Sequence, residues 1–183
     1  PNGPTLLAAY VALRRCGCAP LLLDHSAPVD DKRRAAAALG ASGSLRACCV
    51  WGEQSGSFSF EATTDLVAAR EMSRDVGAVK LTSGSSGTPR GVVATAAALA
   101  ADEDQLWRSM QLHHDDKLLV SIPLTHSYGF SSLLLPALMR GATLVMADEP
   151  GPLTSLHAAD VCGATFFPTV PAWLAALVKI GSP

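Results

Sequence analysis

Residues 81–93 read LTSGSSGTPRGVV. Three glycines, a proline, one cation and a run of Ser and Thr hydroxyls are condensed into a single segment, with strand-like apolar runs at 78–82 and 91–94. The stretch is too polar for a core and too dense in chemistry for an ordinary surface turn. Gly84, Gly87 and Gly91 lack a Cβ, so the backbone is free to take positive φ and to approach a ligand closely. Successive N–H groups in such a bend converge into an anion-binding concavity. Thr82, Ser83, Ser85, Ser86 and Thr88 add hydroxyl donors. Pro89 stiffens the exit, and Arg90 supplies a permanent planar cation matched to phosphate oxygens. A flexible Gly/Ser linker has similar composition. The attached TPRG and the flanking strands shift the balance towards phosphate. If those strands pair, the segment is a hairpin tip free to open and close.

Two common phosphate loops are excluded. The spacing Gly, four residues, Gly-Lys-Ser/Thr is absent, and GxGxxG fails because Gly84 and Gly87 are followed by Gly91. The segment instead resembles the signature loop of the adenylate-forming ligases, T-S-G-[ST]-[ST]-G-x-P-[KR]-G-V, which residues 82–92 match at every position. That superfamily includes acyl- and aryl-CoA synthetases, fatty-acyl-AMP ligases, luciferases and the adenylation domains of peptide synthetases. The resemblance implies that Thr82, Ser83, Gly84, Ser85, Ser86, Gly87, Thr88, Arg90 and Gly91 hold the β- and γ-phosphates of ATP. Arg90 stands where Lys is commoner in the family; it keeps the charge and gains a fork.

Working outward, 183 residues with 49% apolar and 16% charged side chains suffice for a sizeable core. A net charge of −2 without a basic stripe argues against nucleic acid as a main partner. Sparse aromatics and abundant Ala favour helices over an all-β fold. The five cysteines are odd in number and show neither CxxC nor zinc spacing. Cys48 and Cys49, inside an apolar run, read as buried thiols, and the set points to a reducing cytoplasm. No secretory leader opens the chain and no apolar run reaches membrane-spanning length. Pro1 in place of Met and an end just after a helix suggest a piece of a longer protein.

The first half alternates helix and strand. Thr5 is placed to cap a helix to about Arg15, which Gly17 stops. Residues 19–23 read as a buried strand and 24–28 as a turn. Asp30 caps a second helix through Leu39, ended by Gly40. Residues 45–51 read as a buried strand, 52–59 as a loop, 64–72 as a short helix and 73–77 as a connector. Residues 16–24 also resemble the opening helix, Gly and strand of the adenylate-forming ligases. Thr95 is an N-cap for a helix to about Leu112 with Leu99, Leu106 and Met110 on its apolar stripe and Asp102, Glu103 and Asp104 facing solvent. His113-His114-Asp115-Asp116 looks like a metal cluster, but polar turns are normal at a helix end and no diagnostic spacing is present.

A second informative stretch follows the strand expected at 117–122. Residues 123–130 read PLTHSYGF. They place His126, Tyr128 and Gly129 at a strand's carboxyl end, where open α/β sheets put ligands. A lone His is more often just a satisfied polar residue. The company of Tyr128 and Gly129 favours a site. Adenylate-forming ligases carry a similar P-L-x-H-[SGN]-[FY]-G segment. The resemblance implies that His126 and Tyr128 border the carboxylate substrate near the forming acyl-adenylate, with His126 as the catalytic candidate and Gly129 leaving room. The HSYG version looks most like fatty-acyl-activating members. Residues 131–140 read as an apolar helix kinked at Pro136 and stopped by Gly141. A strand at 142–146, a helix at 153–162, a strand at 164–167 and a helix at 171–180 complete the chain.

The expected fold is α/β, a layered sheet with flanking helices, part of the large N-terminal domain of an acyl-adenylate-forming ligase. Residues 1–77 form one α/β portion and 78–183 the AMP-binding core portion. The resemblance implies ATP-dependent activation of a fatty or aryl carboxylate, followed by transfer to CoA or another thiol, with magnesium required. The family's Y-G-x-[TS]-E segment, its ribose-binding Asp and the Lys of its mobile lid domain have no counterpart here. The chain alone is therefore expected to be inactive, with no magnesium ligand of its own. Two other readings stand beside this one. One is a non-catalytic nucleotide- or phosphate-binding module. The other is a structural α/β domain with a Gly/Ser hairpin. A homodimer is compatible with all of them.

Overall fold

The computed structural model describes residues 3–49, 56–62, 72–82, 89–147 and 151–181. They form two units, the first of Pro1–Ala100 with Thr125–Ser127 and the second of Ala101–Leu124 with Tyr128–Pro183. The class is α/β, as expected. The ladders among the described residues are three two-stranded sheets rather than one broad layer.

The first unit opens with helix α1 (Pro4–Arg15). Pro4 sits in its first turn and Gly3 at the N-cap, so Thr5 is a buried residue inside the helix and not its cap. Helix α2 (Val29–Ala38) likewise starts after Pro28. Asp30 and Asp31 occupy its first turn, where the helix dipole favours acids, so Asp30 does not cap it either. Gly17 and Gly40 follow the two helices at φ 76° and 65°, ending both as expected.

Strand β1 (Gly43–Cys49) pairs antiparallel with β2 (Gly56–Ala62), from Gly43 opposite Ala62 to Cys49 opposite Gly56. This corrects the loop expected at 52–59 over residues 56–59, and 52–55 lie outside the described residues. Ser57, Phe58, Ser59 and Phe60 alternate polar and apolar, the period of a half-buried strand. The helix expected at 64–72 and the burial of Cys48 and Cys49 lie outside the described residues.

Strand β3 (Val76–Thr82) pairs antiparallel with β4 (Arg90–Thr95), the hairpin the sequence predicts. The strand starts at Val76, inside the stretch expected to be a connector. Val76, Gly77, Ala78 and Val79 are all buried, so β3 is covered on both faces, whereas β4 is largely exposed. Leu21 forms a parallel bridge with Val79, and the Val79 N–H donates to the Pro20 carbonyl at 2.8 Å. The strand expected at 19–23 is reduced to that one bridge. Gly77 is fixed by crowding: a Cβ there would meet Leu99 Cδ1 and the backbone of Ala96. Its carbonyl also accepts the Tyr10 hydroxyl at 3.1 Å. Burial pushes the Tyr10 phenol up, against the opposing charge of Arg14.

Helix α3 (Ala96–Ser109) leaves β4 with the predicted cap, the Ala98 N–H donating to Thr95 Oγ1 at 3.1 Å. It ends before Leu112, and the chain reverses through Gln111 at φ 54°. Two expectations on α3 fail. Met110 is exposed, and Glu103 is fully buried instead of facing solvent. The burial of Glu103 is possible because Arg140 meets its carboxylate, at 3.1 Å from Nε to each oxygen.

In the second unit, strand β5 (Lys117–Leu119) runs parallel to β6 (Thr143–Val145), with Leu118 opposite Leu144. Phe166 bridges Leu118 in parallel on the other side. Both strands are shorter than predicted, and the strand expected at 164–167 is that single bridge. The crossover between β5 and β6 is a helical run in three parts: α4 (Ser127–Gly129), a π turn (Phe130–Leu134) and α5 (Leu135–Arg140). The π turn is closed by the Leu135 N–H donating to the Phe130 carbonyl, and Pro136 lies in the first turn of the helix that follows. Leu118, Leu124, Phe130, Leu133, Leu134 and Pro136 are the fully buried heart of this unit. Helices α6 (Pro152–Cys162) and α7 (Pro171–Ile180) match expectation to within a residue.

Candidate functional site

Thr82 and Arg90 are opposite each other, the last pair of the β3–β4 ladder. Thr82 Oγ1 donates across the pair to the Arg90 carbonyl at 3.4 Å. The antiparallel ladder therefore brings the two ends of 83–88 together, and the segment between them is closed at its base. Ser83, Gly84, Ser85, Ser86, Gly87 and Thr88 lie outside the described residues. Arg90 is exposed, so its guanidinium is available at the mouth of the hairpin.

Gly91 has a packing role that its sequence context does not suggest. It lies in the extended strand, not at positive φ. A Cβ there would stand 2.7 Å from Val79 Cγ1 and 2.9 Å from Leu39 Cδ2. Side-chain packing on the ladder demands glycine at this position.

The strand-end segment is placed as the sequence predicts, beyond β5. Ser121 Oγ donates to the Pro168 carbonyl, tying the segment to the turn after Phe166. His126 and Tyr128 are both exposed where the helical run begins at Ser127. Gly129 is buried, and a Cβ on it would fall on the carbonyl oxygen of Pro123. The room that glycine leaves here is taken by backbone. It allows the first helical turn to sit against Pro123, which fixes where Tyr128 emerges.

The sequence reading missed a set of contacts at the start of β5. Asp116 Oδ1 accepts the Thr165 hydroxyl at 2.7 Å, and Oδ2 accepts the His113 N–H at 2.6 Å. The Thr165 hydrogen bond first, then that of His113, holds the Asp116 carboxyl below its usual range. The Lys117 N–H donates to Thr165 Oγ1 at 2.9 Å, so the same threonine aligns the start of β5 with the Phe166 bridge. The hydroxyl of Thr169 is buried without a hydrogen-bond partner among the described residues. The one sequence signal for these contacts was a polar turn ahead of β5, at 113–116. Among the described residues, no group of three or more His, Cys, Asp or Glu side chains could hold a metal ion. No helix there is long and apolar enough to cross a membrane.

Comparison with known proteins bears on the chain as a whole. A family model described as AMP-binding enzyme matches residues 1–183. The chain is 29% identical over 135 residues to 4-coumarate–CoA ligase 5 of Oryza sativa subsp. japonica, covering 69% of this chain and 25% of that ligase. The o-succinylbenzoate CoA synthetase from Bacillus subtilis, solved with the acyl-adenylate intermediate OSB-AMP, shares the fold. The match has TM-score 0.73 and 20% identity, over 97% of this chain and 49% of that one. The same synthetase solved with ATP and a magnesium ion matches 57% of this chain and 22% of its own, with TM-score 0.52 and 25% identity. The chain thus spans about a quarter of the plant ligase and about half of the bacterial synthetase chain.

Proposed function

The chain belongs to the AMP-binding enzyme family, and from that premise we propose that it carries the phosphate hairpin and part of the carboxylate pocket of an ATP-dependent, acyl-adenylate-forming ligase. The observation that supports this most is the Thr82–Arg90 pair. It closes the base of a hydroxyl- and amide-rich hairpin and sets an exposed guanidinium at its mouth. Such a donor set fits a polyphosphate tail.

In this reading an oxygen of the substrate carboxylate attacks the α-phosphorus of ATP, and the bond to the β-phosphate oxygen breaks. Acyl-AMP forms and pyrophosphate leaves. Residues 82–91 hold the β- and γ-phosphates and then the departing pyrophosphate. Donors fixed before the reaction stabilise the charge that builds on those oxygens. His126 and Tyr128 border the carboxylate. Magnesium bound to the triphosphate would supply further charge stabilisation at the phosphate oxygens. The acyl group then passes to a thiol, with CoA the expected acceptor. The substrate class is an aryl or fatty acid.

The test is carboxylate-dependent exchange of pyrophosphate into ATP by the whole protein that contains this chain. The acid panel includes 4-coumarate, o-succinylbenzoate and long-chain fatty acids. Exchange with one of these acids is the expected result. ATP binding by calorimetry with no exchange across the panel overturns the ligase reading in favour of a non-catalytic nucleotide module. Absence of both overturns the phosphate hairpin itself.

A further inference from the structure

The carboxyl end of α1 carries two thiols one residue apart. The helix stops on Cys16, Gly17 follows at φ 76°, and the chain leaves through Cys18. The Cys18 N–H donates to the Leu13 carbonyl at 2.9 Å and the Gly17 N–H to the Arg14 carbonyl at 3.0 Å. This is the paired hydrogen-bond pattern of a Schellman turn. A residue in the left-handed helical well spaces its two flanking Cα atoms as an α-helical residue does, at about 5.4 Å. Disulfides form over Cα separations of roughly 4.4–6.8 Å, so the bend holds the two cysteines within bridging range.

Both thiols are free and exposed. Two arginine side chains lie against the backbone of this bend and hold its shape. Arg74 lies against Gly17, with Nε 3.5 Å and Cζ 3.7 Å from where a Cβ on that glycine would stand. Arg14 donates from Nη1 to the Cys18 carbonyl at 2.9 Å and from Nη2 to the Arg74 carbonyl at 3.0 Å. An exposed thiol with a second, resolving cysteine beside it is placed for oxidation to pass on to a disulfide. Nothing in the proposed ligase chemistry uses this pair.

We propose that Cys16 and Cys18 form an oxidisable dithiol that a hydroperoxide converts to a disulfide. One thiolate attacks the distal peroxide oxygen, the O–O bond breaks, and the released oxygen leaves as water or an alcohol after taking a proton. The sulfenic acid so formed is attacked by the sulfur of the second cysteine. The S–S bond forms, the S–O bond breaks, and water leaves. Two thiols are oxidised by two electrons in all, and the peroxide is reduced by the same two.

The experiment uses the whole protein, reduced, freed of reductant, treated with hydrogen peroxide, alkylated and digested with trypsin. Cleavage after Arg15 and Lys32 releases a peptide of residues 16–32 whose cysteines are Cys16 and Cys18 alone. The expected product is that peptide lighter by two hydrogens and closed to alkylation, with both thiols restored by dithiothreitol. Cys16→Ser and Cys18→Ser, both at exposed positions, are expected to stop at a sulfenic acid that dimedone traps. Three outcomes overturn the proposal. The wild-type peptide keeps both thiols alkylatable at a dose that oxidises Cys162, or it accumulates the dimedone adduct as the single variants do, or it cross-links to another cysteine instead.

Discussion

Arg140 reaches back from the end of α5 to Glu103 on α3. Its Nη2 lies 3.0 Å from Glu103 Oε2 and 2.8 Å from Asp104 Oδ1. The guanidinium also lies over the Trp107 ring, 5.5 Å from its centroid. Glu103 has no exposed surface, so this one cation answers a carboxylate that water cannot reach.

Removing the cation should cost more than neutralising the anion. Arg140→Gln leaves the Glu103 carboxyl buried with no matching charge, the situation in which broken buried pairs are most damaging. Its thermal midpoint is expected to fall by on the order of 5–10 °C. Glu103→Gln keeps a hydrogen-bond acceptor and should fall by less than half as much. Calorimetric melting of both variants checks the ordering, and an equal or reversed ordering contradicts it.

Gly129 should tolerate a methyl group worse than Gly141 does. At 129 the added Cβ meets the Pro123 carbonyl, which is backbone and cannot rotate away. Gly129→Ala is expected to destabilise by about 1–3 kcal/mol, the usual range for overpacking. Gly141 sits at φ 72° with nothing near its Cβ position. Gly141→Ala should cost only the left-handed backbone penalty, about 1–2 kcal/mol. Gly129→Ala should also lower carboxylate-dependent exchange, because Tyr128 moves with it. Denaturant titration and the exchange assay give the two readings.

Asp116 gives a pH dependence of defined sign. Its carboxyl is held below the ordinary aspartate value of 3.8 by Thr165 and then by His113. A depressed folded value means the stability is fully present above the unfolded value and is lost as pH falls through the folded one. The unfolding midpoint should therefore begin to drop below about pH 4. Asp116→Asn should lower the plateau and flatten that acid limb. A limb of unchanged steepness in the variant would mean other carboxylates dominate.

Arg90 separates function from stability. Its side chain is exposed, so Arg90→Gln should shift stability by no more than about 0.5 kcal/mol. Losing a charged hydrogen bond to phosphate is worth about 1.5–3 kcal/mol. Pyrophosphate exchange at limiting ATP should accordingly fall by about 10- to 100-fold. Arg90→Lys should keep most of the activity, since charge without the fork still binds a phosphate oxygen. Equal activity in all three proteins argues that the hairpin does not touch the nucleotide.

Local chemistry was legible in the sequence, while partners distant along the chain were not. The β3–β4 hairpin, the Thr95 cap and the α6 and α7 spans could be read because turn residues, caps and apolar runs mark them directly. Glu103 was misread because three acids in a row look like a solvated face. Only the fold brings Arg140 to the middle one. The β2 strand was misread because its Gly and Ser content outweighed the Phe58 and Phe60 alternation. Gly91 and Gly129 were flagged as site glycines, and the structure adds a packing reason for each that no local pattern contains. Leu39 and Pro123, the residues that crowd them, announce nothing in the sequence.

The π turn at Phe130–Leu134 acts on the bearing of everything around it. An extra residue per turn rotates one end of a helical run against the other, by about 100° for each residue inserted. Tyr128 lies before that turn and Arg140 after it. Trimming one residue from the bulge would restore a uniform coil of nearly the same composition. It would also swing the aromatic ring away from its present heading while Arg140 stayed locked on Glu103.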